Sequence, residues 1–337
     1  MQVVDESNAS ANPLLTIAVP TYNRSDYLGL CLKRICDEIA ALPENKRRLV
    51  NVYVSDNASS DNTPAVVAQY KSECAGIFEA VRNVQNMGLD FNFIQCYESA
   101  KTPYVWMVGD DDVILPGRLK KVLDFLINNE VDLLYVNNYW FKDSYMEKPK
   151  RREKHNTAVF SSALDFARRT NVMLTYVSGL IVRSGVVSNK RQELNGSMLV
   201  LLSWILPLLR DGSRFAVIED WVVAAKGANT GGYGLIEVFG NNLQKIAADI
   251  LKDKPDVVRT IQNGTIVNFF TGFILEIRKG ASKFSEKDMS VGLSKAFGDN
   301  WRYYVFLLPL VLLPLPLARI YNVLLKVFRR LFRSVLV

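Results

Sequence analysis

The side chains best suited to chemistry sit where a short apolar run stops. Tyr104-Val105-Trp106-Met107-Val108 is followed by Gly109 and then by three adjacent carboxylates, Asp110, Asp111 and Asp112. A continuous run of five apolar residues reads as a buried strand. Three like charges at its end repel one another, and half buried they need a partner cation. Alternate residues of a strand share a side, so Asp110 and Asp112 are expected to converge on one ion while Asp111 points elsewhere. Oxygen-only ligands suit Mg2+ or Mn2+, ions that keep waters and bridge to substrate phosphates. The stretch therefore reads as a metal–diphosphate site, with a solvated acidic turn as the competing reading.

The elements that must position these carboxylates follow from the flanking sequence. Leu14 to Pro20 reads as a first buried strand, stopped by Pro20 and followed by Thr21-Tyr22-Asn23-Arg24-Ser25. Ser25 is expected to cap a helix whose apolar residues recur at Leu28, Leu32, Ile35 and Ile39. A second strand, Leu49 to Ser55, ends in Asp56-Asn57-Ala58-Ser59-Ser60-Asp61-Asn62, and Thr63-Pro64 opens a second helix. A third strand near Ile77 to Val81 leads through Arg82 to Gly88 into a helix over Leu89 to Ala100. After the aspartate strand come a helix following Pro116-Gly117 and a strand from Val131 to Val136.

Strands alternating with helices predict a parallel α/β sheet with right-handed crossovers. Such sheets bind ligands at the carboxyl ends of their strands. Those ends hold Thr21 to Arg24, Asp56 to Asp61, Asn86 to Gly88 and Asp110 to Asp112, so four polar turns are expected to share one crevice. Taken singly, Asp56 and Asp61 read equally well as caps, and Gly88 as a strand stop.

Composition narrows the possibilities. The 337 residues carry a net charge of +7, with 49% hydrophobic and 22% charged residues, which describes an ordered globular chain of one large or two modest domains. The excess positive charge is gathered in Lys148 to Lys154 and Arg319 to Arg333, without the basic–aromatic interleaving of RNA binders. Two local anionic contacts are expected, and no nucleic acid. Cys31, Cys36, Cys74 and Cys96 show no CxxC spacing and no histidine partner, so they read as core thiols of a reducing compartment. Residues Met1 to Pro13 lack the features of a signal peptide and read as a loose tail of a cytosolic chain. Neither GxxxxGK[ST] nor GxGxxG follows the first strand, which disfavours P-loop and dinucleotide folds. The phosphates must then be held by the metal and a basic side chain. Arg24 and Arg82 are the candidates, and a surface ion pair is the alternative for each.

Taken in order, Val19-Pro20-Thr21-Tyr22-Asn23-Arg24, Ser55-Asp56-Asn57-Ala58-Ser59-Ser60-Asp61, Asn86-Met87-Gly88 and Gly109-Asp110-Asp111-Asp112 resemble a family-2 glycosyltransferase of the GT-A fold. The resemblance covers residues 14–140. It implies a Rossmann-like, mostly parallel sheet with helices on both faces, binding a nucleotide-diphosphate sugar. It also implies that Pro20, Thr21, Tyr22 and Arg24 line the nucleotide, with Asn86 and Gly88 beside it. Asp56 would accept from a base N–H, and Asp110 to Asp112 would form the metal and ribose site. Relatives often carry Asp-x-Asp-Asp here, and this chain has Gly109 at the first of those positions. Asp112 is taken as the first metal ligand, with Asp110 second and Asp111 on the nucleotide side.

From about Phe141 the alternation stops, which suggests a division into residues 1–13, 14–140, 141–300 and 301–337. Helices are expected over Phe160 to Arg169 and Gly196 to Arg210, and strands near Val177 to Val182 and over Phe215 to Ile218. Lys148 to His155 is a basic loop that either covers a diphosphate, meets anionic lipid or is simply solvated. Asn229 to Gly234 is glycine-rich, an acceptor-site lid or a plain turn. Inverting sugar transfer needs a general base on the acceptor hydroxyl. His155 is the only histidine and lies in the basic loop, so a carboxylate is expected. The candidates are Asp220 first, its neighbour Glu219, and Glu193.

Tyr303 to Ala318 is uncharged but broken by Pro309, Pro314 and Pro316, and too short for a spanning helix, which needs about 20 apolar residues. Beyond it, Ile320, Val323, Leu324, Val327, Phe328, Leu331 and Val335 share one helical face, and Arg319, Lys326, Arg329, Arg330 and Arg333 the other. A basic amphipathic helix reads as an interfacial anchor on an anionic membrane surface, with a packing helix of an oligomer as the alternative.

The resulting expectation is an enzyme of the bacterial inner membrane's cytoplasmic face. It would use Mg2+ or Mn2+ to move a sugar onto an undecaprenyl-diphosphate-linked oligosaccharide of O-antigen or capsule synthesis. In length and second half the chain is similar to abequosyltransferase-type members of the family. Two rivals differ in class. A sugar-phosphate nucleotidyltransferase would carry a glycine-rich, lysine-bearing loop where Pro20-Thr21-Tyr22 stands, and a non-catalytic membrane scaffold would bind nucleotide without transfer.

Overall fold

The computed structural model describes residues 12–186, 190–227, 234–280, 289–332 and 336. The chain divides into two compact units, but not at a single point. Unit 1 takes the residues up to Thr157 together with Val177–Val186 and Val217–Lys226, and unit 2 takes the remainder. Two stretches expected in the second half of the chain thus return to the first unit. The glycine-rich segment Asn229 to Tyr233, Arg333, Val335 and the first eleven residues lie outside the described residues.

Unit 1 is organised by a sheet. Its strands are β1 (Leu15–Thr21), β2 (Val50–Asp56), β3 (Phe78–Arg82), β4 (Tyr104–Met107), β5 (Val113–Ile114), β6 (Leu133–Phe141), β7 (Thr157–Phe160), β8 (Leu180–Arg183) and β9 (Phe215–Lys226), with the boundary between units passing through β7 and β9. The order is β3-β2-β1-β4-β8-β6-β9-β5. The first four strands are parallel, as the alternation predicts, and every residue of β1 is buried. The second part of the sheet is mixed. β8 runs antiparallel between β4 and β6, and β5 pairs antiparallel with β9. Sequence alternation registers only the parallel part, because the antiparallel pairing of β8 with strands far back in the chain leaves no local signature.

Three boundaries matter for the site. β4 stops at Met107, so the carboxylates lie in a turn in which Asp112 N–H donates to Gly109 O at 3.0 Å. The expected strand from Val177 begins instead with a short 3-10 turn, Val177–Gly179, before β8. The expected strand Phe215 to Ile218 is a twelve-residue strand, all but its last residue buried, so Glu219 and Asp220 lie in its middle and not after it.

The helices begin close to the predicted places. They are α1 (Ser25–Ala40), α2 (Glu44–Arg47), α3 (Thr63–Glu73), α4 (Leu89–Ser99) and α5 (Arg118–Asn128) in unit 1. Ser25 does not cap α1 with its side chain. Asp61 does so from the next loop: its Oδ2 accepts from Ser25 N–H at 3.0 Å and its Oδ1 from Thr63 N–H at 3.0 Å. One carboxylate thus closes the positive ends of two helices. Burial works against its ionisation, but the bonds from Thr63 and Ser25 hold it down at about 2. α1 packs on α3, and Cys36 and Cys74 are joined in a disulfide with Cα atoms 6.5 Å apart. This corrects the expectation of four thiols; Cys31 and Cys96 are free and buried. Residues 38 apart in sequence meet only through helix packing, which spacing alone does not reveal.

Unit 2 is largely helical. Its helices include Ala163–Thr170, capped by the Ser162 hydroxyl, and Leu202–Asp211, which starts six residues later than expected. The last long helix, Leu315–Leu331, docks through Ala318 and Leu325, both buried. Tyr321 donates to Val305 O at 2.8 Å, and Arg329 donates to Val267 O at 2.5 Å and to Thr271 Oγ at 2.7 Å. Arg329 was expected on the solvent face. It lies on the docked one, where burial lowers its pKa. Leu317, Ile320, Val323, Leu324, Val327, Phe328 and Leu331 are all exposed.

Candidate active site

The carboxyl ends of β1, β2 and β4 are knitted together by polar side chains of unit 1. Thr21, the last residue of β1, donates its hydroxyl to Asp110 Oδ2 at 2.8 Å. Asn92, buried on α4, donates to Thr21 O at 3.3 Å and Ser55 O at 3.1 Å, and accepts from the Ser55 hydroxyl at 2.5 Å. Asn57 donates to Asn86 Oδ1 at 2.8 Å and to Gly88 O at 3.1 Å, and its own oxygen accepts from Asn83 and from Met87 N–H. Residues 83–88 are thereby fastened to the end of β2. Gly88 sits at φ +88°, a conformation open to glycine at little cost.

Asp56 closes the same end of the sheet. It is buried, its Oδ1 accepting from Ser59 N–H at 2.9 Å. Its Oδ2 is 3.2 Å from Arg82 Nε yet accepts no well-directed hydrogen bond. An acceptor buried in that state suits a donor brought by a ligand. Arg82 in turn donates to Ser59 O at 2.7 Å. Tyr22 and Met87 stand exposed beside these turns, and Pro20 is buried within β1.

The carboxylate turn departs from the strand-parity expectation. Asp110 and Asp111 share one guanidinium, with Arg24 Nε 3.2 Å from Asp110 Oδ1 and Arg24 Nη2 2.5 Å from Asp111 Oδ2. Asp112 is held by other donors. The Ser178 hydroxyl donates to its Oδ2 at 2.5 Å and Lys226 N–H to its Oδ1 at 2.9 Å. A turn has no two-residue alternation, so neighbours Asp110 and Asp111 meet on one cation. Gly109 is part of this geometry: a Cβ there would lie 3.1 Å from Asp111 Oδ1 and 3.4 Å from Asp112 Oδ2. The chain trades a side chain at that position for closely folded carboxylates.

Burial, reinforced by Asp111 and Asp112 and opposed by Arg24, pushes the Asp110 carboxyl up to about 7. Among the described residues Arg24 is the guanidinium placed on Asp110 and Asp111, and the turn's ligand atoms are all oxygens. That set fits a hard divalent ion such as Mg2+ or Mn2+. Asp110 and Asp112 would hold it, and it would supply positive charge to a diphosphate.

The base candidates are placed elsewhere. Glu219 and Asp220 lie six and more residues back along β9 from Lys226, and at the usual strand rise that separates Asp220 from the Lys226 end by roughly 20 Å. The structure does not bring them to Asp112. Asp220 is fully buried and bound by Arg118 at 2.8 Å, by His155 at 3.0 Å and by Lys121. Although burial opposes ionisation, His155, Lys121 and Arg118 hold its pKa below the ordinary value. Glu153 joins this group through Arg118 at 2.7 Å and Trp221 N–H at 2.9 Å. Glu153 and His155 thus pin the end of the basic loop to β9. Glu193 belongs to unit 2, where it is exposed and pairs with Lys190 at 2.7 Å.

Sequence reasoning missed Ser178, Asn57, Asn92 and the Lys226 amide. Asn57 and Asn92 stand in stretches already singled out, but an asparagine that ties loops looks like any turn or helix residue. Ser178 is 66 residues from Asp112 and carries no local signal at all.

Comparison with known proteins places this arrangement. A family model described as Glycosyl transferase family 2 matches residues 16–189, more than half of the chain. Among curated proteins the chain is similar to abequosyltransferase RfbV of Salmonella typhimurium, 26% identical over 184 residues, which is 50% of this chain and 53% of that protein. It also resembles the uncharacterized glycosyltransferase MJ1057 of Methanocaldococcus jannaschii, 23% identical over 134 residues, 39% of this chain and 44% of that one. The chain spans about half the length of these relatives.

Among solved structures, TarS 1-349 of S. aureus in complex with UDP-GlcNAc aligns with TM-score 0.60 and 17% identity over 94% of this chain and 92% of that one. Mannosyltransferase PcManGT from Pyrobaculum calidifontis, in complex with GDP-Man and Mn2+, aligns with TM-score 0.51 and 15% identity over 96% and 88%. These likenesses show the GT-A fold. With that fold beneath it and the family model running from β1 through β8, the chain belongs to glycosyl transferase family 2.

Proposed function

We propose that the chain transfers a sugar from a nucleotide-diphosphate donor, with a divalent ion, onto a lipid-linked acceptor at an anionic membrane surface. The observation that carries the donor half is the turn of three adjacent carboxylates Asp110–Asp112, with Asp110 buried, hydrogen-bonded through Thr21 to the strand end that the Asp56 loop adjoins. In this reading Asp56 Oδ2 accepts from a base N–H. Tyr22 and the loop fastened by Asn57 flank the nucleotide, and Arg24 and Arg82 are the cations within reach of phosphate. Asp110 and Asp112 would hold the ion, which would supply positive charge to the diphosphate. Fixing Asp112 through Ser178 and the Lys226 amide keeps that carboxylate in one orientation before the donor arrives.

Transfer with inversion needs a carboxylate base on the acceptor hydroxyl. The Arg118 and Lys121 ion pairs of Asp220, its bond with the His155 ring and its position along β9 argue against it and Glu219. Glu193 remains a candidate from the sequence alone. The acceptor class follows from the last helix. It docks through Ala318, Leu325 and Arg329 and turns seven large apolar side chains outward, with Arg319, Lys326 and Arg330 exposed alongside. Among the described residues no helix is long and apolar enough to cross a membrane. An apolar strip edged by cations suits the interface of an anionic bilayer. The abequosyltransferase likeness supports an O-antigen-type, polyprenyl-diphosphate-linked acceptor, presented on the cytoplasmic face.

Purified protein incubated with a panel of nucleoside-diphosphate sugars tests the donor reading. Slow hydrolysis of one of them is expected, abolished by EDTA and by Asp112→Asn. Hydrolysis indifferent to both would sink it. Sedimentation with phosphatidylglycerol vesicles tests the membrane reading. Replacing Ile320, Val323, Leu324 and Val327 by serine should leave the protein in the supernatant, and unchanged sedimentation would overturn the anchor.

A further inference from the structure

Each carboxylate oxygen in the turn differs in what already occupies it. Asp110 Oδ2 has the Thr21 hydroxyl, and both oxygens of Asp112 have donors fixed by the fold, the Ser178 hydroxyl and the Lys226 amide. Asp110 Oδ1 has only Arg24 Nε, 3.2 Å away, and that nitrogen is buried without a well-directed acceptor. Charge alone holds Nε at Asp110; the guanidinium's directed bond is the one from Nη2 to Asp111 Oδ2 at 2.5 Å, which its departure must break. The backbone of Arg24 is fixed by its N–H on Thr63 Oγ at 3.3 Å, so any motion belongs to the side chain. A resting surface for that motion is present, because the guanidinium carbon already stands 5.1 Å from the centre of the Tyr27 ring, itself partly exposed. A guanidinium over an aromatic face keeps favourable electrostatics after leaving a carboxylate.

We propose that Arg24 is the resident counter-cation of the carboxylate turn, that it yields Asp110 Oδ1 to the incoming divalent ion, and that it turns along Tyr27 toward the donor diphosphate. The proposal rests on the metal-dependent reading above. Guanidinium and metal then oppose each other at Asp110, and the same guanidinium favours the nucleotide once displaced. A fork that fits two carboxylates also fits a diphosphate, and no lysine offers that planar geometry.

The test measures binding, without turnover. Mn2+ alone is titrated into the full chain and free Mn2+ is followed by electron paramagnetic resonance, after which UDP and GDP are titrated calorimetrically at saturating Mn2+. Arg24→Gln is expected to bind Mn2+ about fivefold tighter or more, the ordinary scale of coupling between two sites. It should bind the preferred nucleotide about tenfold weaker, as loss of charge-assisted bonds requires. Arg24→Lys should fall between wild type and Arg24→Gln in both measurements, and it carries the test alone should the glutamine variant not fold. Equal or weaker Mn2+ binding by the variants overturns the exchange and leaves the metal reading standing. Mn2+ binding by neither wild type nor variant overturns the metal reading and the exchange with it.

Discussion

Two buried aspartates of the first unit sit in opposite electrostatic surroundings. Asp110 shares its turn with two more carboxylates and the Arg24 guanidinium, and burial pushes its carboxyl up to about 7. Asp220 lies mid-strand among Arg118, Lys121 and His155, with Glu153 close by, and its pKa is lowered. Both are almost fully buried, so burial does not distinguish them. The balance of partners does. A carboxylate cluster short of positive charge costs stability unless something else supplies it, and a ligand cation is the natural supply. A carboxylate saturated with cations is already served, and adds a tie between α5, β9 and the basic loop. From sequence alone both sites are pairs or runs of acidic residues after an apolar stretch. What separates them is the cations that folding delivers.

The largest test of that contrast is catalytic. Asp112→Asn and Asp110→Asn should each lower transfer on the order of a hundred- to a thousandfold, the scale of removing one fixed electrostatic contact from a reacting centre. Asp220→Asn should leave turnover within about twofold of wild type once the protein is folded, as expected of a group remote from the reacting atoms. Equal losses at Asp112 and Asp220, measured with the same donor, would erase the distinction. Ser178→Ala comes next. It removes the hydroxyl that fixes Asp112 while leaving the carboxylate, and should weaken Mn2+ binding about ten- to a hundredfold, the usual cost of losing a supporting partner of a metal ligand. An unchanged affinity would mean that the Lys226 amide orients Asp112 unaided.

The parallel half of the fold was legible in the sequence because each signal there is local. The alternation of apolar strands with periodic helices runs through β1 to β4, and Pro20, Pro64 and Pro116 punctuate it. The site was legible to the same extent: Thr21 and Asp56 close their strands, and Arg24, Asn86, Gly88 and Asp110 to Asp112 follow a strand end. The rest depends on pairings between distant segments. β8 enters antiparallel between β4 and β6 and brings Ser178 under the turn. The pairing of Val113 with Ala224 places Lys226 beside Asp112 and carries Asp220 away along β9. Reading β9 as ending at Ile218 made Glu219-Asp220 look like a strand-end site. The strand runs eight residues further, through an apolar stretch whose Asp220 is neutralised from outside by Arg118 and Lys121. Arg329 follows the same pattern, since a cation on a helix's polar face was read as solvated while unit 2 supplies carbonyls to receive it.

Stability should show the reverse ranking of the two aspartates. Asp220→Asn strands Arg118 and Lys121 without their shared anion. Loss of one member of a fully buried pair costs about 3–5 kcal/mol, but Arg118 and Lys121 reach solvent, so about 2 kcal/mol is expected here. Chemical denaturation of the metal-free protein at neutral pH checks this. Asp110→Asn, in contrast, relieves repulsion in the turn and should stabilise the metal-free protein under the same conditions.

The pH dependence separates the two sites by sign. Asp220 is depressed below its ordinary 3.8 in the folded chain, so its contribution is present above that value and is lost as pH falls through the acid range. Asp110 is raised from 3.8 to about 7, so its contribution is complete below 3.8 and is lost as pH climbs toward and through 7. Metal-free wild type should therefore lose stability relative to Asp110→Asn on going from pH 5 to pH 8, while its advantage over Asp220→Asn shrinks only on acidification. The same proton competes with the metal. At pH 6 most Asp110 carboxyls are protonated and at pH 8 most are ionised, so apparent Mn2+ affinity should rise roughly tenfold between them. In Asp110→Asn that rise should vanish along with most of the binding, whereas Asp220→Asn should retain it in full. A wild-type affinity that is flat from pH 6 to pH 8 would mean that the turn is already neutralised by Arg24, and that the raised Asp110 carboxyl distinguishing it from the Asp220 cluster is not there.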